Sequence, residues 1–74
     1  MPIFNYQKLK GRIIEQLETN GKFAELMEWS RPTLSRKLTG ESEWTQGEIY
    51  KACKILTIEL SELHLYFFVE SVQD

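Results

Sequence analysis

The stretch that decides the fold runs from Asn20 to Gly40 and reads NGKFAELMEWSRPTLSRKLTG. Its apolar spacing predicts a short helix at about 22–27, a tight turn, and a second helix at about 31–39. The small side chain of Ala24 lets these two helices cross closely. The apolar residues around it predict the buried side, namely Phe23, Met27, Trp29 and Leu34.

The second of these helices carries clear signals at both ends. Ser30 is a good N-cap, and Pro32 falls in a first turn whose N–H groups are unpaired in any helix. Gly40 stands where a left-handed residue often ends a helix. Together with the apolar spacing, these signals form a helix-turn-helix pattern, in which one helix braces a second that presents a polar outer face.

Helical patterns continue on both sides of this stretch. Upstream, apolar residues spaced four apart predict a helix from about Gln7 to Glu18, which Thr19-Asn20-Gly21 stops. Downstream, Thr45 and Glu48 form a capping-box pattern at the start of a fourth helix. The inward-facing residues are Leu9, Ile13 and Leu17 in the upstream helix and Ile49, Ala52, Cys53 and Leu56 in the fourth.

The last third of the chain predicts a loop at 57–60, with Ile58 and Leu60 turned inward, and a short fifth helix from Ser61. The apolar tail at 64–72 is compatible with both a helix and a strand. No apolar run approaches the ~18 residues that a membrane span needs, and residues 1–8 lack the apolar region of a signal peptide. We therefore predict one all-α domain of five helices over residues 1–74, with an apolar C-terminal tail.

Composition favours a binding module over an enzyme. The chain has 74 residues and one cysteine, which leaves little room for a catalytic cleft and no internal disulfide. The net charge is −2, but it is unevenly spread: residues 1–40 hold seven Lys/Arg and four Glu (+3), and residues 41–74 hold two Lys and seven acids (−5). This asymmetry indicates one face for an anion and another turned away from it; the alternative is ordinary solvated charge.

Residues 6–66 resemble the phage repressor and Cro family of lambda-repressor-like, XRE-type helix-turn-helix domains, and most closely the small prophage-encoded members. The resemblance includes the Gly-ended second helix of the motif, the capped segment TQGEIYKACKIL (45–56), the short LSELHLYF (60–67), and Trp44 just before the fourth helix. It implies a five-helix DNA-binding fold, a role in transcription regulation, and a location in the cytoplasm of a bacterial host.

Two residues depart from the pattern of that family. The turn usually has glycine where this chain has Glu28, so a left-handed Glu28 is expected to be strained by about 1 kcal/mol. An apolar residue usually stands where this chain has Lys37. We expect Leu38 to take over its burial while Lys37 lays its aliphatic stem along the edge of the core.

A projection of about 100° per residue turns Leu34 and Leu38 inward and leaves a polar outer face. Arginine suits bidentate contact with guanine, so Arg31 and Arg36 are the first choices for reading bases, with hydroxyl side chains as shorter partners. The predicted base-reading set is Ser30, Arg31, Thr33, Ser35 and Arg36. The family motif adds Asn20 as a phosphate contact, and further phosphate contacts are predicted at Lys22, Lys37 and Thr39. The alternative for each is a solvated surface residue.

The remaining chemically suggestive residues favour packing over chemistry. Cys53 is expected to be buried, His64 has no metal-ligand or catalytic partner at a suitable spacing, and Trp29 and Trp44 are expected in the core. We expect no cofactor, no metal, no small-molecule substrate and no enzymatic activity. The tail residues Tyr66, Phe67, Phe68 and Val69 form a candidate homodimer surface, the alternative being packing onto the first helix and Ile3-Phe4.

Two hypotheses of function follow from these patterns. The first is sequence-specific binding of double-stranded DNA by a prophage-type transcription regulator, with the 31–39 helix in the major groove. The second is a protein-binding module on the same scaffold, a regulator or antirepressor partner without DNA affinity. The acidic total and Glu28 favour the second hypothesis.

Overall fold

The computed structural model describes residues 4–71, which form five α-helices and no strand. An isolated antiparallel bridge joins Phe4 to Glu70. This architecture confirms the predicted all-α fold of five helices. The helices are α1 (Gln7–Leu17), α2 (Asn20–Met27), α3 (Arg31–Thr39), α4 (Gln46–Leu56) and α5 (Leu63–Phe67), and a 3-10 turn at Leu60–Glu62 precedes α5.

One apolar core receives side chains from every α-helix. Ten of the core side chains come from the first four helices, and the buried Phe67 comes from α5. The predicted inner faces of α2 and α4 are buried at the expected spacing except Ile49, which is partly buried. This packing stabilises helices that are too short to be stable alone. The buried residues are Tyr6, Leu9, Ile13, Phe23, Ala24, Met27, Leu34, Leu38, Ala52, Cys53, Leu56, Ile58 and Phe67.

The turn between α2 and α3 depends on a left-handed Glu28. Its φ is 64°, and its N–H donates to the carbonyls of Ala24 and Glu25 at the end of α2. The N–H of Trp29 also donates to the carbonyl of Ala24, at 2.9 Å. The Glu28 conformation is therefore the one that glycine adopts most easily. This was expected, because Glu28 stands where the resembled family usually has glycine.

The junction between α1 and α2 differs from the prediction. The left-handed residue is Glu18, with φ 74°, and its N–H donates to the carbonyl of Ile14. Thr19 is the N-cap of α2, since its hydroxyl accepts from the N–H of Lys22 at 3.1 Å. Because this cap sits directly after Glu18, Asn20 and Gly21 begin the second helix and do not stop the first.

The C-terminal tail leaves the helical path at Phe68. The N–H of Asn5 donates to the carbonyl of Val69 at 2.6 Å, so the two ends of the described chain lie side by side. The rings of Phe4 and Phe68 meet edge to face, with centroids 5.8 Å apart. Ile58 is buried as predicted, but Leu60 is 55 % exposed because it lies in the outer 3-10 turn, so its predicted inward placement is wrong.

None of the helices in residues 4–71 combines the length and the apolar character that a bilayer crossing requires.

The left-handed turn gives a stability prediction. Glu28→Gly is expected to raise the free energy of unfolding by about 0.5–1 kcal/mol, because relief of left-handed strain exceeds the entropy that glycine adds to the unfolded chain. Urea denaturation measures the change. Glu28→Ala is the matched control: it removes the exposed ion pair with Lys51 but keeps the Cβ, and should not stabilise. Equal effects of Gly and Ala would contradict the argument.

Candidate nucleic-acid interface on the third helix

The start of α3 is fixed by a pair of hydroxyl groups. The Ser30 hydroxyl accepts from the N–H of Thr33 at 3.3 Å, and the two side-chain oxygens of Ser30 and Thr33 lie 2.9 Å apart. Both hydroxyls were predicted to read bases, and the structure engages them with each other at the N-cap. Their first role is therefore to begin the helix at Arg31.

The outer face of α3 is exposed and basic. Ser35 and Arg36 are exposed in the middle of the helix, and Thr39 is exposed in its last turn. The Thr39 hydroxyl donates to the carbonyl of Arg36 at 3.2 Å. No acidic residue occurs between Ser30 and Gly40, so the positive potential of this face is not cancelled within the helix.

Arg31 folds back toward the start of α2 and does not extend along α3. A Cβ placed on Gly21 would lie 2.5 Å from the Arg31 Nη2 atom, so the guanidinium rests against the glycine backbone. The same surface cleft, about 400 Å³ in volume, brings together side chains of α1, α2 and α3. Its polar residues are Lys10, Asn20, Arg31, Ser35 and Thr39.

Lys10 is the member of this cleft that sequence reasoning missed. It follows the buried Leu9 and precedes the buried Ile13 by three positions, so it stands at the edge of the inner stripe of α1. That edge position was the available signal, because a lysine there keeps its stem near the core and its ammonium at the rim. Lys22, by contrast, is exposed on α2 as predicted and does not line this cleft.

Lys37 does not reach the surface, so its predicted role as a phosphate contact is wrong. Only 8 % of the residue is exposed. Its Nζ donates to the carbonyl of Glu43 at 2.6 Å and to Glu48 Oε1 at 2.8 Å. The ammonium also lies 5.4 Å from the centroid of the Trp29 ring. The expectation that its stem would follow the core is consistent with this burial, but the charge is used internally.

The Glu48 carboxylate joins this ion pair to the capping box of α4. Its Oε1 accepts from the Thr45 N–H at 2.8 Å, and the Thr45 hydroxyl accepts from the Glu48 N–H at 3.1 Å. Burial by itself raises the pKa of Glu48, but hydrogen bonds from Lys37 and Thr45 and the charge of Lys37 outweigh it and lower that pKa. The carboxylate is therefore held ionised by the groups that orient it.

A cluster of aromatic side chains packs against the inner side of α3. The Trp44 indole N–H donates to the carbonyl of Lys37 at 3.1 Å. The Trp44 ring packs edge to face on Trp29, with centroids 5.4 Å apart, and on Phe67 at 5.0 Å. Both tryptophans are half-buried members of the core margin, where sequence reasoning placed them.

One of the four residues predicted to form a homodimer surface is buried. Phe67 is fully buried, because α5 turns it into the core, so its assignment to an intersubunit surface is wrong. Tyr66 is half-buried, with the Lys8 ammonium 5.4 Å from its ring centroid. Phe68 and Val69 are exposed. The homodimer itself stays a prediction that now concerns only these last two residues.

Among residues 4–71, no group of three His, Cys, Asp or Glu side chains has the arrangement of a metal site. Cys53 is buried, and this burial raises the pKa of its thiol. A raised pKa disfavours the nucleophilic thiolate. His64 is exposed on α5.

The fold and the surface together define a class: a small all-helical domain whose third helix has an exposed face with Arg36 and no acidic residue. The chain belongs to the family described as "Protein of unknown function (DUF739)", whose family model matches residues 2–70. It is similar to the solution structure of the modulator of repression (MOR) of the temperate bacteriophage TP901-1 from Lactococcus lactis. The identity is 35 %, the match covers 88 % of each chain, and the TM-score is 0.78. Comparison with curated protein sequences finds no match.

The internal role of Lys37 gives a prediction. Lys37→Ala is expected to lower the free energy of unfolding by about 2–3 kcal/mol, because it leaves Glu48 without its cation and the Glu43 carbonyl without its donor. Lys37→Met keeps the stem and should cost less. Thermal and urea denaturation measure both. Wild-type stability of Lys37→Ala would show that the ammonium is in solvent and not in the ion pair.

The lowered pKa of Glu48 gives a prediction about acid. A carboxyl whose pKa is lower in the folded than in the unfolded chain stabilises the fold above its unfolded pKa of about 4.3, and the contribution is lost as pH falls through the folded pKa. Stability should therefore drop below about pH 4.3, and Glu48→Gln should flatten this drop. Urea midpoints measured at several acid pH values test this. Glu25→Gln, on the exposed side of α2, is the control and should keep the wild-type slope.

Proposed function

We propose that this chain is a phage-type transcription regulator that binds double-stranded DNA by placing α3 in the major groove. The observation that carries the proposal is the outer face of α3, exposed, basic, and free of acidic residues from Ser30 to Gly40. The three-residue turn between α2 and α3 is compatible with a helix-turn-helix and supports the same docking geometry. Similarity to a phage modulator of repression supports a regulatory role.

We divide the proposed contacts into two kinds. Arg36 and Ser35 extend from the middle of α3, where side chains reach base edges. Arg31 joins Lys10 and Asn20 in the cleft beside the start of α2, and we reassign it from base reading to phosphate contact. Lys22 is a further phosphate contact at the same end of α2. Ser30 and Thr33 take part mainly by beginning the helix.

A second candidate function is binding to a protein of the repression system. The specific observation in its favour is charge. The chain is acidic overall, and burial of Lys37 removes one cation from the predicted DNA contacts. The printed description of the similar structure, a modulator of repression, fits action on a repressor as well as action on DNA. In this reading α3 contacts a protein surface instead of a duplex.

The DNA proposal is tested by selecting duplexes from a random-sequence pool at low salt and titrating the selected duplex. Affinity should fall steeply with salt. Arg36→Ala should cost about 1–3 kcal/mol on the selected duplex and little on other sequences, whereas Lys22→Ala should weaken all duplexes and reduce the salt slope by about one. Lys54→Ala, exposed on α4, is the control and should behave as wild type. No selectable duplex at low salt would favour the protein-binding function.

The contact between Arg31 and Gly21 gives an independent test. Gly21→Ala places a methyl group where the guanidinium rests, so the Arg31 side chain must move, while alanine in α2 stabilises the helix by up to about 1 kcal/mol. We expect duplex affinity to fall while thermal stability is unchanged or higher. Gly47→Ala is the matched control, since Gly47 is also the second residue of a helix and a Cβ there meets open space. Unchanged affinity of Gly21→Ala would reject the proposed phosphate role of Arg31.

A further inference from the structure

A second surface lies between α4 and the segment at 60–68, and we call it the α4–α5 groove. It is an open groove of about 800 Å³. Three of its large apolar side chains are unusually exposed: Tyr50 by 51 %, Leu60 by 55 % and Phe68 by 48 %. The apolar residues that line it are Trp44, Ile49, Tyr50, Leu60, Leu63 and Phe68.

Two acidic residues adjoin this groove in the structure, and two more stand next to it in the sequence. Glu59 lies beside Tyr50 and Leu60 in the adjoining surface depression. Glu43 lies with Trp44 and Phe68 on the other side. Glu62 directly precedes Leu63 in the chain, and Glu70 follows Val69 at the end of the tail. All four acids are exposed, and none belongs to an ion pair in the described part of the chain.

Few cations offset these acids. Lys37 donates to the Glu43 carbonyl, but its charge is paired with Glu48. Lys54 lies with its ammonium 5.4 Å from the centroid of the Tyr50 ring, and Lys51 is paired with Glu28. They are the only Lys or Arg residues between positions 41 and 74. An apolar floor with an acidic border therefore selects a ligand that is apolar in its centre and positive at its edges.

The charge of the border decides which occupant fits. A second copy of this chain would bring the same acids against each other, which disfavours a symmetric contact. Nucleic acid and anionic lipid surfaces would be repelled for the same reason. A basic amphipathic helix satisfies both properties, because its apolar anchors at i, i+3, i+4 and i+7 enter the groove while its flanking Lys or Arg meet the acids.

We propose that the α4–α5 groove is a docking site for a basic amphipathic helix of a partner protein. Its lining residues all lie in 44–68, whereas the exposed face of α3 and the cleft around Arg31 consist of residues from 10–39. The two surfaces therefore share no residue. This inference does not require that α3 binds DNA, and either can fail without the other.

The probe is a synthetic helical peptide with Leu at the four anchor positions and Lys at its flanks, and its counterpart has Glu in place of Lys. Amide chemical shifts of the labelled full chain are followed during titration at low and high salt. The Lys peptide should shift the amides of residues 44–50 and 60–68, bind at least ten-fold more tightly than the Glu peptide, and weaken as salt rises. Leu60→Asp should abolish this binding.

Ile14→Asp is the matched control, because Ile14 is 51 % exposed on α1 and does not line the groove, so binding should persist. If Leu60→Asp does not fold, Tyr50→Ser tests the same floor from α4. A charge-reversed chain, Glu59→Lys with Glu62→Lys, should prefer the Glu peptide.

Several outcomes would overturn the proposal. Equal affinity for both peptides would show that the acidic border plays no part in binding. Shifts confined to other residues would show that the peptide does not bind in the groove. A concentration-dependent dimer of the wild-type chain that Leu60→Asp dissociates would assign the groove to a second copy instead. Loss of DNA affinity in the Arg36→Ala chain with peptide binding intact would leave this proposal standing, so the two functions are separable.

Discussion

The ion pair between Lys37 and Glu48 is the interaction on which the orientation of α3 depends. Lys37 lies on the inner side of α3, and Glu48 closes the capping box at the start of α4, so one pair of charges links the two helices directly. The Trp44 indole adds a hydrogen bond to the Lys37 carbonyl. A partly buried ion pair contributes little net stability against an apolar pair, but it accepts only one geometry and so specifies how the helices meet.

Local signals in the sequence predicted most of the fold. The bounds of α3 follow from the Ser30 cap and the left-handed Gly40, and the capping box of Thr45 and Glu48 forms as expected, because each of these signals acts within four residues. The junction of α1 and α2 was misplaced because Thr19 caps one helix where Asn20 and Gly21 suggested the end of another. Two competing local signals of similar strength cannot be ranked without the packing of the helices.

The candidate site was less predictable, because exposure depends on residues far apart in sequence. The position of Lys37 indicated that its stem would follow the core, but the carboxylate that pairs its ammonium stands 11 positions later, so the internal use of the charge could not be read within α3. Arg31 rests on Gly21, a glycine of another helix, so its direction could not follow from a projection of α3 alone. The same limit explains why the exposure of Leu60 and the burial of Phe67 were not predicted. Both depend on how the segment at 60–67 packs against the core.

The separation of charge along the chain links the two proposed surfaces energetically. Residues 41–74 carry −5 and residues 1–40 carry +3, so a polyanion at α3 is attracted by one half of the molecule and repelled by the other. A basic helix in the α4–α5 groove neutralises part of the repelling half without touching α3. If both proposed ligands bind, each is therefore expected to strengthen binding of the other, and by linkage the factor is the same in both directions. Because this coupling is electrostatic, it weakens as salt rises, which distinguishes it from a coupling carried by packing.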